Sequence, residues 1–491
     1  MDAALTGIAF VLSAEMLLLI FLATVAGVLV GALPGLGSIM MIVLLLPYII
    51  VMEPTAGIVL TAVIYCAATF GGSITSILIN TPGTPAAAAT TFEGYPMAQR
   101  GEAGRALGMA AFSSSVGGIF SVLVLIVAAP LLARVAYHFG PPEYFALALF
   151  GLSMLASLGN TSTLKNYIGG AFGILLSTVG VDFATGVERF TFGSPALAEG
   201  IHFIPLMIGL FAGSELLMQA AASDAVPRLV SKVAVRLPSL ADLRKVRGTI
   251  ARSSLLGTFV GILPAEGGTV AALMAYNEAK RWSKTPEAFG KGAIEGIAAP
   301  ESANNAATGG AMVPTLALGI PGSATTAVIL GAMIMLGARP GPALFQQQPD
   351  FLYAIFGGML LANLVFLFVG LYGAKLFAHI SLVPKQFLWG TVFLLAFIGT
   401  YAINNSLFDV WMMVAFSVVG FVMRRRGYSA APVVMGLILG ELVEISLTQS
   451  MLMFQQDVTG FFTRPIALLF FALALLGVAY PYIKSALQRR R

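Results

Sequence analysis

The chain has 491 residues, of which 58% are hydrophobic and 10% charged, and its net charge is +5 at pH 7. Soluble proteins carry about 25% charged residues, so this composition excludes a soluble globular protein. Apolar runs of about 20 residues recur, long enough for membrane-spanning helices and without the polar alternation of outer-membrane barrel strands. Basic residues fall in loops, and Walker A, HExxH and Ser-His-Asp patterns are absent, so nucleic-acid binding, ATP hydrolysis and proteolysis are not expected.

Two breaks rich in proline and glycine interrupt the apolar stretches near the N-terminus. Glycine permits positive φ and proline removes a backbone donor, so such breaks free carbonyls for a cation and, where a helix restarts, amides for an anion. The first break is predicted to bind a cation through Gly31, Pro34, Gly35, Gly37 and Ser38. The second break is predicted to bind substrate through Asn80, Thr81, Pro82, Gly83 and Thr84.

Both breaks recur in the second half of the chain, in the same order. Residues 27–37 match 257–267 at an offset of 230, and the stretch from 67 to 84 matches 306 to 323 at an offset of 239. Paired Gly/Pro-interrupted segments in two halves of a membrane protein indicate a transport site. The recurring first break adds the predicted cation ligands Gly261, Pro264, Glu266, Gly268 and Thr269. The recurring second break adds the predicted substrate ligands Gly319, Pro321, Gly322 and Ser323.

Two amides, Asn304 and Asn305, enter an apolar stretch, where polar groups are costly unless partnered. We assign Asn304 to the substrate and Asn305 to the cation, although both could instead tie helices together. The breaks have alternative interpretations too, as helix kinks or turns at the membrane edge. Glu301, just before the amides, is interpreted as an acid in a first helical turn near the surface. The coupling ion stays open between sodium and a proton carried by Glu266.

The distribution of positive charge predicts the topology, because cytoplasmic loops are enriched in Lys and Arg. Basic loops at 100–105, 228–252, 280–291, 424–426 and 484–491 are placed inside, with the C-terminus cytoplasmic and the N-terminus periplasmic. Segment 253–276 lies between two inside loops, so it is predicted to be a re-entrant hairpin. Counting membrane crossings back from the C-terminus then places the start of the first repeat on the outer side of the membrane and the start of the second repeat on the inner side. We therefore predict an all-α polytopic protein with two inverted repeats.

The predicted domains follow this division. The N-terminal half, 1–220, has broken elements in 16–91 and continuous helices in 106–220, and a basic cytoplasmic linker spans 221–252. The C-terminal half, 253–491, has broken elements in 253–337 and continuous helices in 351–483.

Several motifs resemble the large membrane subunit of tripartite tricarboxylate transporters, the TctA family. They are Gly31–Gly37, Ile79–Ala86, Phe92–Pro96, Ala299–Ala306 and Leu318–Ser323, and the resemblance covers nearly the whole chain. It implies a secondary transporter of the bacterial inner membrane that imports di- or tricarboxylates or related acids by an elevator-type mechanism. It also implies no cofactor, coupling to sodium or protons, a small membrane subunit of about four helices and a periplasmic solute-binding protein. A carboxylate channel, a symporter that needs no binding protein and a homodimer stay open.

Overall fold

The structure, a computed structural model, describes residues 2–489 except 34, 158–161, 183–184, 222–236, 264–266 and 381–384. It is almost entirely helical, and two two-residue strands, β1 Gly180–Val181 and β2 Glu188–Arg189, pair in antiparallel orientation. The helices are α1 Asp2–Val11, α2 Ala14–Gly31, α3 Gly37–Ile49, α4 Pro54–Ile79, α5 Ala88–Gln99, α6 Ala103–Ala136, α7 Pro141–Ser153, α8 Thr163–Ser177, α9 Pro195–Ala198, α10 Phe203–Met207, α11 Ser214–Ala220, α12 Leu240–Ile262, α13 Gly267–Trp282, α14 Glu295–Leu318, α15 Ala324–Met335, α16 Leu344–Gln347, α17 Pro349–Ile380, α18 Lys385–Asn404, α19 Leu407–Arg425, α20 Ala431–Met453 and α21 Pro465–Arg489.

The predicted all-helical, multi-pass character is confirmed. Within the described ranges, seven stretches are long and apolar enough to cross a bilayer. Five of these spans coincide with whole helices, and the span Pro349–Gly373 is the first part of α17. The remaining span joins α10 and α11 through the π-helical segment Ile208–Gly213. The spans are Ala14–Gly31, Pro54–Ile79, Ala103–Ala136, Phe203–Ala220, Pro349–Gly373, Leu407–Arg425 and Ala431–Met453.

Both breaks of the first half lie between helices. Helix α2 ends at Gly31 and α3 begins at Gly37, so the first break separates two helices. Helix α4 ends at Ile79 and is followed by a single 3-10 turn, Pro85–Ala87, before α5. Helix α4, Pro54–Ile79, is long enough to span the membrane, and its most apolar part is completely buried within the protein. It therefore lies at the centre of the fold.

The second half repeats this order of broken helices. Segment 253–276 contains the end of α12 and the first part of α13, which pack against each other. Helix α12 begins at Leu240, so it extends into the segment that we assigned to the basic linker. Arg105 donates to Asp242 in the first turn of α12 at 2.5 Å, and this hydrogen bond holds the pKa of Asp242 below its ordinary value.

Two long helices brace the broken ones. Helix α6 packs along α14, and α17 packs along α4, so each long helix contacts the broken region of the other half. A Cβ on Gly117 of α6 would lie 2.2 Å from the carbonyl oxygen of Ser302, so only glycine permits this approach. The rings of Phe70 and Phe366 stack at 5.0 Å between α4 and α17. Most of the remaining helices pack in two groups. One group consists of α7, α8, α20 and α21, and the other of α10, α11, α18 and α19.

Candidate functional site

The starts of three helices line one cavity of about 680 Å³. These are Gly37 of α3, Gly267 of α13 and Ala324 of α15, and the 3-10 turn at Pro85 that leads into α5 also lines it. The first amides of a helix have no partner within it, and the helix dipole places partial positive charge there. Three such ends around one cavity favour an anion, and they can do so without a buried base.

The glycines of the first break set the packing behind the cavity. A Cβ on Gly31 would lie 2.2 Å from the carbonyl oxygen of Ala68, and a Cβ on Gly261 would lie 2.6 Å from that of Ala307. Gly261 follows Gly31 by 230 residues, and Ala307 follows Ala68 by 239, so matched positions make matched contacts. Each first break is therefore held against α4 or α14, the helix that precedes the second break of its own half, by the absence of a side chain.

The glycines of the second break show the same correspondence. A Cβ on Gly83 would lie 2.8 Å from the Cα of Gly72, and a Cβ on Gly322 would lie 2.7 Å from the Cα of Ala311. Gly322 follows Gly83 by 239 residues, and Ala311 follows Gly72 by the same 239 residues. The chain after each break therefore folds back against its own helix at a distance that excludes any larger residue.

Backbone conformation also corresponds between the halves. The residues that end α4 and α14, Asn80 and Gly319, have φ of 55° and 69°. The first residues of α3 and α13, Gly37 and Gly267, have φ of 63° and 60°. The left-handed region costs a residue with a Cβ more than glycine, and asparagine tolerates it better than most. Asn80 is thus a fitting substitute for glycine at the first of these helix ends.

On one side of the cavity, hydroxyl groups contact each other across the two halves. The Tyr65 hydroxyl lies 3.2 Å from Ser323 Oγ, and Ser38 Oγ lies 3.1 Å from Thr325 Oγ1. Ser323 also caps α15, because its Oγ accepts from the amide of Thr326 at 3.2 Å. The polar atoms on this side are therefore largely satisfied by the protein.

Two other polar groups of the lining residues lack partners within the described ranges. Asn304 is 2% exposed, and its Nδ2 has no hydrogen-bond partner among the described residues. The Oγ1 of Thr84 also has none in that part of the chain, and both residues line the cavity although the two atoms are themselves withdrawn from solvent. A buried donor without a partner costs about 1–3 kcal/mol, so such groups call for an explanation. A ligand with acceptor oxygens would satisfy both after the two side chains rotate toward the cavity.

The structure separates the predicted site residues into three groups. Those that line the cavity are Gly35, Gly37, Ser38, Pro82, Gly83, Thr84, Gly268, Thr269, Asn304 and Ser323. Those that are described but do not line it are Gly31, Asn80, Thr81, Gly261, Asn305, Gly319, Pro321 and Gly322. Pro34, Pro264 and Glu266 lie outside the described residues. Sequence reasoning missed Tyr65, Thr325, Glu215 and Arg424, which also line the cavity.

Asn305 points its amide into the packing between α4 and α14. Its Nδ2 donates to the carbonyl oxygen of Cys66 at 3.1 Å, and the residue is fully buried. Its Oδ1 has no partner within the described ranges. An unpartnered amide oxygen is a hard ligand of the kind that sodium or another hard cation prefers.

Glu301 corrects an expectation, because it is not a surface acid in a first turn. Helix α14 begins at Glu295, and Glu301 is fully buried in the second turn. Its carboxyl group accepts hydrogen bonds from Ser73, Thr90 and, at 2.7 Å, Ser114. These hydroxyls come from α4, α5 and α6, so Glu301 joins α14 to three helices of the first half.

Glu93 of α5 makes a second buried connection between the halves. Its carboxylate accepts hydrogen bonds from the Tyr276 hydroxyl at 2.7 Å and from the amides of Gly290, Gly292 and Ala293 at 2.5, 2.6 and 2.8 Å. Amide donors to a carboxylate form strong, charge-assisted bonds. The loop between α13 and α14 is thereby fixed to α5.

Comparison with known proteins agrees with this architecture. Residues 17–435 match the tripartite tricarboxylate transporter TctA family. The chain is 39% identical over 470 residues, 96% of its length and 94% of the relative's, to a protein of Agrobacterium vitis described as an uncharacterized 52.8 kDa protein in the TAR-I ttuC' 3' region. A second Agrobacterium vitis protein, described as an uncharacterized protein in the TAR-II ttuC' 3' region, is 37% identical over 234 residues, 48% of this chain and 97% of the relative. No solved structure matches the chain significantly. The extent of these matches shows that the chain is a transport protein rather than an enzyme, and that it belongs to the tripartite tricarboxylate transporter TctA family.

Proposed function

We propose that this chain imports di- or tricarboxylates across the bacterial inner membrane by alternating access, and that the cavity is its substrate site. The observation that carries the proposal is that Asn304 and Thr84 line a cavity with three helix starts, while Asn304 Nδ2 and Thr84 Oγ1 have no hydrogen-bond partner among the described residues. A carboxylate of the substrate would accept from both and face the positive ends of the helices. The site would bind a multiply charged anion mainly through dipoles.

The proposed movement follows from which elements are tied together. Helices α2–α6 and α12–α15 form the transport body, because Glu93 and Glu301 bond the first half to the second within it. The remaining helices form the scaffold, with α17 along its border. The matched glycine contacts at offsets of 230 and 239 support two inverted repeats as the origin of this body. The elevator step is the movement of this body against the scaffold.

Sodium is our proposed coupling ion, with Asn305 as one ligand, because its buried Oδ1 has no partner in the described part of the chain. Carbonyls of the first breaks would complete the shell. Coupling to a proton on Glu266 predicts a different outcome. Glu266→Gln should need more sodium but still accumulate substrate under sodium coupling, whereas under proton coupling it should lose accumulation at every sodium concentration. Full uptake in sodium-free medium driven by a pH gradient would contradict the sodium proposal.

The proposed partners are a small membrane subunit and a periplasmic solute-binding protein, which family membership implies. The placement of the arginines at 424–426 on the cytoplasmic side follows from the charge rule. A channel is the rival function. Saturable uptake that stops when the binding protein is omitted would favour the transporter, whereas linear flux without it would favour the channel.

The substrate assignment is tested by comparing the two sides of the cavity in the reconstituted three-component system. Asn304→Ala and Thr84→Ala should each raise the half-saturating citrate concentration by about tenfold or more, because a hydrogen bond to a charged group contributes about 1.5–3 kcal/mol. Tyr65→Phe is the matched control, since it removes a lining hydroxyl that already has a partner in Ser323 and should leave this concentration nearly unchanged. Equal effects of all three variants would contradict the assignment.

A further inference from the structure

One ion pair lies on the wall of this otherwise uncharged cavity. Glu215 and Arg424 are the only charged side chains among the lining residues that the structure describes. Arg424 Nη1 donates to Glu215 Oε2. The side chain of Glu215 is 10% exposed and that of Arg424 28% exposed, so the pair is mostly withdrawn from water yet reaches the cavity.

The pair is built on helices outside the proposed transport body. Glu215 lies in α11, where Gln219 Nε2 donates to its second oxygen at 2.8 Å. Arg424 lies in the last turn of α19, where the helix dipole favours a cation. The pair faces the first break, because a Cβ on Gly35 would lie 2.8 Å from Glu215 Oε1. It therefore stands where the scaffold meets the transport body.

The charge of a carboxylate substrate gives this pair a role. The pair is neutral as a whole, so a di- or tricarboxylate that enters the cavity meets no net positive side chain. A substrate carboxylate could replace Glu215 as the partner of Arg424. The guanidinium would stay paired, and its planar, forked arrangement of donors would give the carboxylate two parallel hydrogen bonds. Glu215 would keep one partner, Gln219, after the exchange.

We infer that Arg424 is a carboxylate-binding residue at the border of the cavity and that Glu215 competes with the substrate for it. This inference rests on the proposed function, because it assumes that a carboxylate enters the cavity. The competing interpretation is a purely structural ion pair that joins α11 to α19. The two differ in the direction in which removal of Glu215 changes affinity.

The test measures the half-saturating citrate concentration from the citrate-dependent rise in melting temperature of the full chain in lipid nanodiscs. Glu215→Gln keeps the shape of the side chain and removes the competing charge, so it should lower this concentration by about threefold to tenfold. Arg424→Gln should raise it at least tenfold, and the double variant should behave like Arg424→Gln. Arg425→Gln is the control, because the exposed Arg425 stacks on Phe421 and does not line the cavity.

Weaker citrate binding in both Glu215→Gln and Arg424→Gln would overturn the inference, because loss of a structural pair weakens the site from either side. No difference between Arg424→Gln and Arg425→Gln would overturn it too. If Arg424→Gln fails to fold, Arg424→Lys serves instead and should raise the concentration by less, because it keeps the charge and loses the fork. A wild-type chain that neither responds to citrate, succinate or malate nor supports their uptake would contradict the proposed function itself.

Discussion

The lining residues Tyr65, Ser323, Ser38 and Thr325, and the residues at the matched positions of the other half, form two sets that we call the two walls of the cavity. The walls differ in how their polar atoms are satisfied. In the first wall, Tyr65 contacts Ser323 at 3.2 Å. Asn304 lies 239 residues after Tyr65, and Thr84 lies 239 residues before Ser323, so these two residues are the counterparts of the first pair. The amide nitrogen of Asn304 and the hydroxyl of Thr84 have no partner among the described residues. The side chain of asparagine is shorter than that of tyrosine. Tyr65 therefore reaches Ser323, whereas Asn304 at the matched position does not reach Thr84.

A second layer differs in the same way. Ser38 and Thr325 place two hydroxyls 3.1 Å apart, whereas their counterparts are Gly268 and Ala86, which have no polar side-chain atoms. A Cβ on Gly268 would lie 2.5 Å from Asn304 Oδ1. Under our proposal, side-chain differences at matched positions make one wall a structural contact and the other the substrate-binding surface.

The largest effect is expected at the close contacts that both halves share. Gly83→Ala would place a Cβ 2.1 Å from the carbonyl oxygen of Gly31, and Gly322→Ala would place one 2.7 Å from Ala311. Each variant should reduce citrate uptake by about a hundredfold or more, since a shift of about 1 Å at a site has effects of this size. Gly390→Ala is the control, because nothing lies within 4 Å of its Cβ position.

Membrane insertion of these variants should be normal by fractionation, so that lost uptake reports the site. Near-normal uptake in both Gly83→Ala and Gly322→Ala would show that the chain after each break does not need its close approach. An effect in one half alone would show that the two walls are less equivalent than their geometry indicates.

A smaller effect is expected from the Glu93 connection, which has no counterpart at the matched position of the second half. Glu93 lies in α5, and the position 239 residues later in α15 is Ala332. Glu93→Gln replaces a charged acceptor of three amides and should lower stability by about 2–3 kcal/mol, seen as a lower melting temperature. Tyr276→Phe removes one of its bonds and should cost about 1 kcal/mol. A larger loss in Tyr276→Phe than in Glu93→Gln would contradict this account.

The smallest effect on transport is expected from a test of sidedness. Single cysteines at Glu53 and Arg425, in a Cys66→Ala background that removes the buried native thiol, should leave uptake close to normal. In intact cells an impermeant maleimide should label the cysteine at 53 and spare that at 425. Labelling of both from outside would contradict the inverted arrangement and with it the matching of the two walls.

Sequence reasoning reached the elements more easily than their contacts. Long apolar runs predicted the spans, and Pro-Gly pairs located the breaks between α4 and α5 and between α14 and α15. The start of α12 at Leu240 was missed, because its first turns are basic and resemble a loop. Glu301 looked like a surface acid, because its partners Ser73, Thr90 and Ser114 are about 190 to 230 residues away in sequence.

The composition of the cavity wall shows the same limit. Ser38, Thr84 and Asn304 were predicted from local chemistry, and the offsets already aligned their counterparts. Which pairs close and which stay unpartnered depends on side-chain length across the cavity, which no single motif contains. Arg424 was assigned to a basic cytoplasmic loop, and its position on the cavity wall follows only from the packing of α19 beside α11.

A structure of the chain with bound citrate tests the central claim most directly. The account predicts a citrate carboxylate within hydrogen-bond distance of Asn304 Nδ2 and Thr84 Oγ1, with the contact between Tyr65 and Ser323 unchanged. Citrate seated against Tyr65 and Ser323, with Asn304 and Thr84 unbonded to it, would contradict the account.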